Sequence, residues 1–464
     1  MVSISQILNN GLLLTSQAVF QDVATPNQAA TEQYNLIKQL NGAGPYIQHP
    51  GYGISPDVPD QCTVEQVHMI SRHGERYPSK SVGKRFEGIY EKIKNYNQTF
   101  VGELAFLNDY EYFVTDENNY DELTTPFNAQ GPYIGSNNAL NHGAAFRGRY
   151  NELFESSDAP LTLFTTDSRR CFATARYFAQ GLFGDGYGND TARFAVLQKE
   201  RPLGANTLTP SLGCRAFNYT DSVNEHQRYS TRFIYQTLDR VLKGNEDFNL
   251  TINELHNFIS WCAYEINVKG SSPFCNVFNT EEFVKLSYNQ NLFFYYSMGP
   301  GYYMTKAIGA PFLKATLKYL KEDNPPQKVA LSFTHDNNIE HYLSALGITE
   351  EELDPLPIDY VPFPLPYSKS RLLPMGARLY TEKLKCGEDS FVRFILNDAV
   401  FPLKACQDGP GFSCKLSTFE KYVEKRLEGV DYAQQCESGD RPDEVSFLWD
   451  FETEDYYSHQ VTKN

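Results

Sequence analysis

The sequence predicts an α/β protein with a mostly parallel central sheet flanked by helices and a smaller α-helical subdomain inserted into it. Three short β-prone runs predict this class, because each is followed at once by polar residues and then by a helical pattern. A mostly helical stretch between the second and third runs predicts the insertion. The 464 residues, 41% of them hydrophobic, are enough for a large packed core and exclude global disorder.

The three predicted strands share one layout. They span residues 64–70, 161–166 and 328–334, and the polar clusters behind them span residues 71–78, 167–170 and 335–336. Apolar residues recur at helical spacing after each cluster. Ligands of parallel sheets bind beyond the carboxyl ends of the strands, so the three clusters should meet in space.

The same patterns predict the domain organisation. Residues 41–200 and 326–464 should form the α/β domain, which carries all three polar clusters, with residues 201–325 as the α-helical insertion. Four helical patterns lie in the insertion, and Asn324-Pro325-Pro326 ends it before the third strand. Two later β-prone runs, residues 377–384 and 390–396, should also join the sheet.

Residues 1–40 are expected to be an N-terminal arm. Their apolar runs, residues 11–14 and 18–20, are compatible with a secretion leader. Asn9-Asn10 interrupts that pattern, however, and the first basic side chain of the chain is Lys38. Whether the arm is a cleaved leader therefore stays open at this point.

The overall charge limits the classes of partner. With 41 Lys and Arg against 57 Asp and Glu, the formal net charge is −16, which argues against nucleic acid or an anionic membrane surface as the main partner. No apolar run approaches membrane-spanning length, so an integral membrane protein is not expected.

Cysteines and glycosylation motifs point to the compartment. Of the nine cysteines, Cys262 with Cys275 and Cys406 with Cys414 are close enough in the chain to form local disulfides. Five cysteines remain, so at least one thiol should be free. Paired cysteines together with N-glycosylation motifs favour a secreted or cell-wall glycoprotein over a cytosolic protein; the motifs begin at Asn97, Asn189, Asn218 and Asn249.

Residues 72–78, Arg-His-Gly-Glu-Arg-Tyr-Pro, are the most informative stretch. Guanidinium groups are preferred partners of phosphate oxygens, because their planar fork bonds two oxygens at once. The charges of Arg72 and Arg76 disfavour a protonated imidazole and should lower the pKa of His73. A neutral imidazole is a nucleophile, and a bound phosphoryl group is its natural target.

The other two clusters add complementary groups. Arg170 supplies a third cation, with Arg169 as its competitor, and only one of the two can face the site because adjacent helical residues point about 100° apart. His335 offers a hydrogen-bond donor. A protonated Asp336 would give its proton to a leaving alkoxide, so its pKa and that of His73 should be displaced from their usual order.

These residues resemble the histidine acid phosphatases. Residues 72–78 match the R-H-G-x-R-x-P signature of that family, and His335-Asp336 matches its H-D dipeptide. The resemblance covers nearly all the chain, is greatest to secreted fungal acid phosphatases and phytases, and implies a phosphoglycerate-mutase-like fold with a smaller α domain. It also implies a phosphohistidine on His73, Asp336 as proton donor, and a phosphate-binding set of Arg72, Arg76, Arg170 and His335.

The resemblance has two further implications. Arg170, rather than Arg169, aligns with the family pattern, together with Thr174 and residues 178–181. The family's disulfides imply Cys62–Cys386 and Cys214–Cys436 besides the two local pairs, which leaves Cys171 free. Because Cys171 follows Arg170 at a helix start that should be buried, we interpret it as a packing residue and not as a nucleophile.

Other chemistries lack their motifs. No cysteine starts a C-x5-R loop, and the G-x-S-x-G and G-x-x-x-x-G-K-[ST] patterns are absent. No metal and no cofactor are expected, since the nine histidines show no H-x-x-x-H or H-E-x-x-H spacing. Two alternatives stay open: a phosphohistidine-dependent phosphomutase and a non-catalytic cell-wall glycoprotein.

The expected partner is a small phosphomonoester, with broad acid phosphatase activity and phytate as a further candidate substrate. Phytate carries six phosphates, so it calls for extra cations. Lysines and arginines after the signature and on a later helical segment could supply them or form ordinary solvated helix faces: Lys80, Lys84, Arg85, Arg147 and Arg149. Glu75 would weaken binding of a polyanion or pair with a basic neighbour. A homo-oligomer is neither required nor excluded.

Overall fold

The computed structural model describes residues 34–154, 159–199, 201–220, 232–349, 355–454 and 456. The apolar runs that are compatible with a leader lie in residues 1–33, outside the described residues. Within these ranges there are eight strands: β1 Cys62–Arg72, β2 Leu161–Thr166, β3 Ala192–Leu197, β4 Val329–Thr334, β5 Arg378–Cys386, β6 Asp389–Leu396, β7 Ala399–Val400 and β8 Cys414–Lys415.

The strands form one mixed sheet in the order β3-β2-β4-β1-β5-β6-β7, with β8 paired to β6. The pairs β3/β2, β2/β4 and β4/β1 are parallel, which confirms the α/β class and the parallel centre. The runs predicted at 377–384 and 390–396 are β5 and β6, and they pair antiparallel. Only Gly387 and Glu388 separate them, and a two-residue hairpin can join only antiparallel strands.

Helices cover both faces of this sheet. In chain order they are α1 Tyr34–Ile37, α2 Lys80–Lys94, α3 Gly135–Arg149, α4 Arg169–Phe183, α5 Pro210–Gly213, α6 Arg232–Val241, α7 Ile252–Lys269, α8 Thr280–Ser297, α9 Thr305–Leu320, α10 Asp336–Leu346, α11 Lys369–Leu372, α12 Leu416–Arg426, α13 Tyr432–Gln435 and α14 Phe447–Asp450. Phe146 of α3 and Phe178 of α4 share a core with Leu331 on one face. Leu343 of α10 shares a core with Leu379 on the other.

The helical stretch in residues 201–325 begins and ends its helices with recognisable signals. Thr251 and Glu254 form a reciprocal capping box at the start of α7, and Gly270 ends α7 in the left-handed region at φ 87°. Helices α2 and α6 pack around Trp261 of α7, and together they form a separate core. Helix α9 instead packs with α10 on the sheet. The boundaries of the insertion therefore stay a prediction.

Four disulfides tie the fold together, in the expected pairs Cys62–Cys386, Cys214–Cys436, Cys262–Cys275 and Cys406–Cys414. Cys171 is buried and has no disulfide partner. Residues just before the sheet also join the core, since Ile37 and Leu40 are each 1% exposed. None of the helices in the described ranges combines the length and the apolar character that crossing a membrane would require.

Candidate active site

The three polar clusters meet at one edge of the sheet, as predicted. Strands β2, β4 and β1 are neighbours, so their carboxyl ends lie side by side. Across the resulting site Arg72 Nη2 lies 3.4 Å from Asp336 Oδ2. Arg170 Nη2 lies 3.4 Å from His335 Nδ1, and the rings of His73 and His335 are 5.7 Å apart.

The loop after β1 is held by buried hydrogen bonds. The backbone N–H of Gly74 donates to Thr174 Oγ1 of α4 at 3.0 Å, and Thr174 donates in turn to the carbonyl of Arg170. On the other side Gly135 at the start of α3 approaches Glu75 so closely that a Cβ there would lie 2.4 Å from the Glu75 carbonyl oxygen. These contacts fix the direction in which the loop presents its side chains.

His73 is 1% exposed, and its Nδ1 lies 2.9 Å from the carbonyl oxygen of Gly74. A carbonyl only accepts, so Nδ1 carries the hydrogen, and the lone pair of a neutral ring is on Nε2. Burial, followed by the charges of Arg170, Arg72 and Arg76, holds the pKa of His73 well below its usual range. The ring is therefore neutral with a free Nε2, the state that the sequence predicts.

Arg72, Arg76 and Arg170, hereafter the arginine cluster, converge beside this imidazole. Arg72 is 3% exposed and donates from Nη1 to the Leu373 carbonyl at 2.7 Å. Arg76 lies over the ring of Tyr264 on α7, with 5.5 Å from its guanidinium carbon to the ring centre. In all three arginines Nε is buried and has no hydrogen-bond acceptor among the described residues. The cluster thus keeps donors for an anion.

The two arginines after β2 point in different directions. Arg170 has Nη1 3.6 Å from Asp121 Oδ1 besides its contact with His335, and its side chain is 22% exposed. The side chain of Arg169 is 67% exposed and pairs with Glu122 at 3.0 Å. The structure therefore brings Arg170, and not Arg169, into the arginine cluster.

His335 and Asp336 lie at the start of α10. Burial and the charge of Arg170 hold the pKa of His335 well below its usual range. Because Arg170 can only donate to Nδ1, the neutral ring carries its hydrogen on Nε2. His335 is thus a hydrogen-bond donor, as expected.

The pKa of Asp336 differs from the sequence-based prediction. Burial favours the neutral carboxyl, but the charges of Arg72 and Lys369 outweigh it, and the pKa of Asp336 lies below its usual range. We expected a carboxyl that holds its proton. When only these cations surround the carboxylate, that expectation is wrong, because Arg72 and Lys369 each favour the ionised form of Asp336.

Three contributors were missed by the sequence reasoning. Lys369 Nζ lies 3.7 Å from Asp336 Oδ2, Tyr264 lies under Arg76, and Thr174 holds Gly74. Thr174 was noted only as an alignment position. Lys369 follows a proline-rich stretch, and Tyr264 lies in an ordinary helical pattern. Both are far from the polar clusters in the chain, so no local signal marked them.

Cys171 lies beneath the site with its thiol fully buried. Its Sγ is 3.4 Å from the Thr334 carbonyl oxygen and 3.6 Å from His335 Nδ1. Burial raises the pKa of this thiol, which disfavours a thiolate. The position agrees with packing under His335.

The candidate extra cations divide into two groups. Lys80 is exposed at the start of α2, and its backbone N–H donates to Asp121, the partner of Arg170. Lys84 is held by Glu87 and Glu117. Arg147 and Arg149 lie at the far end of α3, about 20 Å along the helix from Gly135. Arg149 pairs there with the buried Glu382, so neither reaches the arginine cluster.

Comparisons with known proteins agree with this geometry. The family model described as histidine phosphatase superfamily (branch 2) matches residues 63–397. A phytase of Candida albicans is 50% identical over 458 residues, covering 98% of this chain and 99% of its own. An acid phosphatase of Saccharomyces cerevisiae is 40% identical, covering 91% of each. The crystal structure of a phytase from D. castellii has 46% identity and a TM-score of 0.89, covering 95% of this chain and 96% of that one.

Proposed function

This chain belongs to branch 2 of the histidine phosphatase superfamily, and we propose that it is an acid phosphatase that hydrolyses phosphomonoesters through a phosphohistidine. The observation that carries the proposal is the arginine cluster around His73, with three buried Nε groups that have no acceptor among the described residues. Guanidinium donors of this kind match the oxygens of a phosphoryl group. Such fixed cations supply much of the stabilisation of a transferring phosphoryl group.

In the first step His73 Nε2 attacks phosphorus, forming an N–P bond while the bond from phosphorus to the ester oxygen breaks. Arg72, Arg76, Arg170 and His335 bind the phosphoryl oxygens through the donors described above. The low pKa of His73 keeps the attacking lone pair available in acid. The neutral His335 contributes a hydrogen bond without adding charge.

Asp336 donates the proton that the leaving alkoxide needs. A phosphate dianion brings negative charge next to Arg72 and so offsets the cations that favour ionised Asp336. Binding of substrate therefore raises the pKa of Asp336 towards the acid range in which the enzyme works. In the second step Asp336 accepts a proton from water, which attacks phosphorus and releases inorganic phosphate from His73.

Two variants test these roles. We expect His73→Ala to release no phosphate, because no nucleophile remains. Asp336→Asn should turn over p-nitrophenyl phosphate far better than an alkyl phosphate, since a good leaving group needs little protonation. Phosphate release from the two esters, together with rapid-quench trapping of the phosphohistidine, measures the effect of each variant. The same reactions in 18O-water separate hydrolysis from transfer to a hydroxyl group. Equal losses on the two esters would contradict the role of Asp336, and transfer without hydrolysis would indicate a mutase.

Phytate is proposed as one substrate among several phosphomonoesters. The phytases of Candida albicans and D. castellii support it. Near the arginine cluster, Lys80 adds a cation, but Asp121 and Glu122 add carboxylates beside Arg170 and Arg169. Since this rim carries both signs, we expect kcat/KM for phytate and for p-nitrophenyl phosphate to lie within about tenfold of each other. A preference of several hundredfold for either substrate would contradict this mixed rim.

We also propose an extracellular or cell-wall location. The four disulfides suit an oxidising compartment, and the glycosylation-motif residues Asn97, Asn189, Asn218 and Asn249 are all exposed. Digestion with an endoglycosidase should increase the electrophoretic mobility of protein secreted by a yeast host.

A further inference from the structure

Lys369 is an unusual residue to find beside the proposed proton donor, because its side chain has no exposed surface at all. Its ammonium group lies 3.7 Å from Asp336 Oδ2, pairs with the buried carboxylate of Glu340 on α10, and lies 4.5 Å from the ring centre of Phe294. Tyr367 donates to the other Glu340 oxygen. A buried lysine needs such partners, since a lone buried charge is very costly.

The surroundings of Asp336 leave little freedom. Arg72 and Lys369 contact the same oxygen, Oδ2, from β1 and from α11. On a third side Gly42 approaches so closely that a Cβ would lie 3.3 Å from Oδ2 and 3.4 Å from Arg72 Nη1. The neighbouring backbone N–H of Asn41 donates to Ser370 Oγ, beside Lys369. The carboxylate is therefore enclosed by elements from distant parts of the chain.

We propose that Lys369, held by Glu340, is a positioning residue that orients the Asp336 carboxyl group and sets the pH range in which it donates its proton. Lys369 cannot touch the substrate, because it has no exposed surface and the substrate meets the outer side of Asp336, whose side chain is 18% exposed. This inference rests on the proposed role of Asp336 as the proton donor.

Charged and titratable groups face Asp336 from every side. Arg72 lies at the end of β1, Arg76 in the loop after it and Arg170 on α4. His335 directly precedes α10, and Glu340 and His341 lie on α10; Lys369 begins α11, and Tyr367 lies two residues before it. A bound phosphate dianion offsets the arginines of the cluster. It does not reach the buried Lys369, whose charge continues to favour ionised Asp336 in the enzyme–substrate complex.

The direction of the effect follows from this charge. Activity on alkyl phosphates is lost as pH rises through the pKa of Asp336 in the complex. Removal of the Lys369 charge raises that pKa, so in Lys369→Met the upper limb of the kcat profile should move to higher pH by about one unit. Glu340→Gln removes a negative charge and should move the limb to lower pH.

The experiment measures kcat and KM against pH for an alkyl phosphate and for p-nitrophenyl phosphate in wild type, Lys369→Met, Glu340→Gln and the double variant. Opposite movements of the two single variants, largest for the alkyl phosphate, support the inference. The double variant leaves no unpaired buried charge, so it guards against failure to fold; its limb should return towards that of the wild type.

Two results would overturn the inference. If both single variants move the limb the same way, or lower kcat equally at every pH, the pair only maintains the structure. The proposed function is tested separately by Asp336→Asn. Should that variant behave as expected while the Lys369→Met limb stays in place, this inference alone is wrong; should Asp336→Asn process both esters alike, the donor role and this inference are both wrong.

Discussion

The neighbours Arg169 and Arg170 show how much one residue position decides in this site. Both are arginines at the start of the same helix, and they differ in direction by about 100°. Arg170 contacts His335, whereas Arg169 is largely exposed and pairs with Glu122. If only the positive charge mattered for catalysis, both arginines would contribute equally. Substitution of each one in turn therefore separates the effect of charge from that of side-chain direction.

We predict that Arg170→Gln lowers kcat/KM for p-nitrophenyl phosphate on the order of a hundredfold, because it removes one fixed donor from the transferring phosphoryl group. Arg169→Gln should stay within about twofold of wild type, since exposed ion pairs contribute little. Steady-state kinetics at constant ionic strength measures both. Equal losses in the two variants would mean that the net charge of the rim, and not the direction of Arg170, matters.

At the scale of elements, the active loop depends on α4 as much as on β1. The hydroxyl of Thr174 on α4 accepts from Gly74 N–H, directly behind His73, and donates to the carbonyl of Arg170. One side chain thus connects two of the three polar clusters. Because it is 3% exposed, water cannot replace it without rearrangement.

We predict that Thr174→Val destabilises the protein by about 1–3 kcal/mol, because it leaves a buried N–H without an acceptor. It should also lower kcat more than it raises KM, since the loop that orients His73 loosens. Thr174→Ser keeps the hydroxyl and should retain most of the activity. Urea unfolding and kinetics give the two readouts; a Val variant with wild-type stability and kcat would contradict the prediction.

For the whole molecule, buried histidines oppose stability in acid, where the enzyme is expected to work. His68, in the middle of β1, is 8% exposed and packs edge-on against Tyr319. Burial, followed by the charge of Lys383, lowers the pKa of His68 to about 3. The unfolded chain, with an ordinary pKa near 6.5 for histidine, binds a proton below that pH while the folded protein does not. Stability is therefore lost as pH falls below about 6.5.

We predict that His68→Leu, which has no titrating group, loses about 2–3 kcal/mol less stability than wild type between pH 7 and pH 4.5. Chemical unfolding measures the free energy of unfolding of both proteins at both pH values. The difference between the two proteins at pH 7 gives the effect of the altered packing, and it is subtracted from their difference at pH 4.5. His68 lies on β1 four residues, about 13 Å, before Arg72, so activity at pH 7 serves as the control. An identical pH dependence in both proteins would mean that His68 is protonated in the folded state.

The net charge of −16 and the arginine cluster apply at different scales. Over the whole surface the charge repels anions, and this repulsion weakens near the pI of about 5.1, where carboxylates are partly protonated. Within the site, three arginines and the buried Lys369 act at short range, where little water screens them. An acidic protein can therefore bind phosphate.

The sequence by itself determined the elements that carry the site and most of its polar residues, but not the outer strands β3, β7 and β8. Alternation and helical spacing are local signals, so β1, β2, β4 and the helices behind them were predictable, and residues 72–78 and 335–336 follow directly from those strands. The two local disulfides followed from the spacing of their cysteines, and the two long-range pairs followed from the resemblance to a family. The antiparallel half of the sheet was predictable only as strands, because their direction depends on pairing.

Only the tertiary structure decided the ionisation state of Asp336, the proposed proton donor. The sequence suggested a protonated Asp336, but its surroundings include Lys369 and the loop at Gly42, which are distant in the chain and carry no motif. Coulomb interactions depend on distance and burial, and neither is encoded in local spacing. The residue types that perform the chemistry can thus be read from short motifs, whereas the pH at which they perform it depends on which distant side chains folding brings within 4 Å.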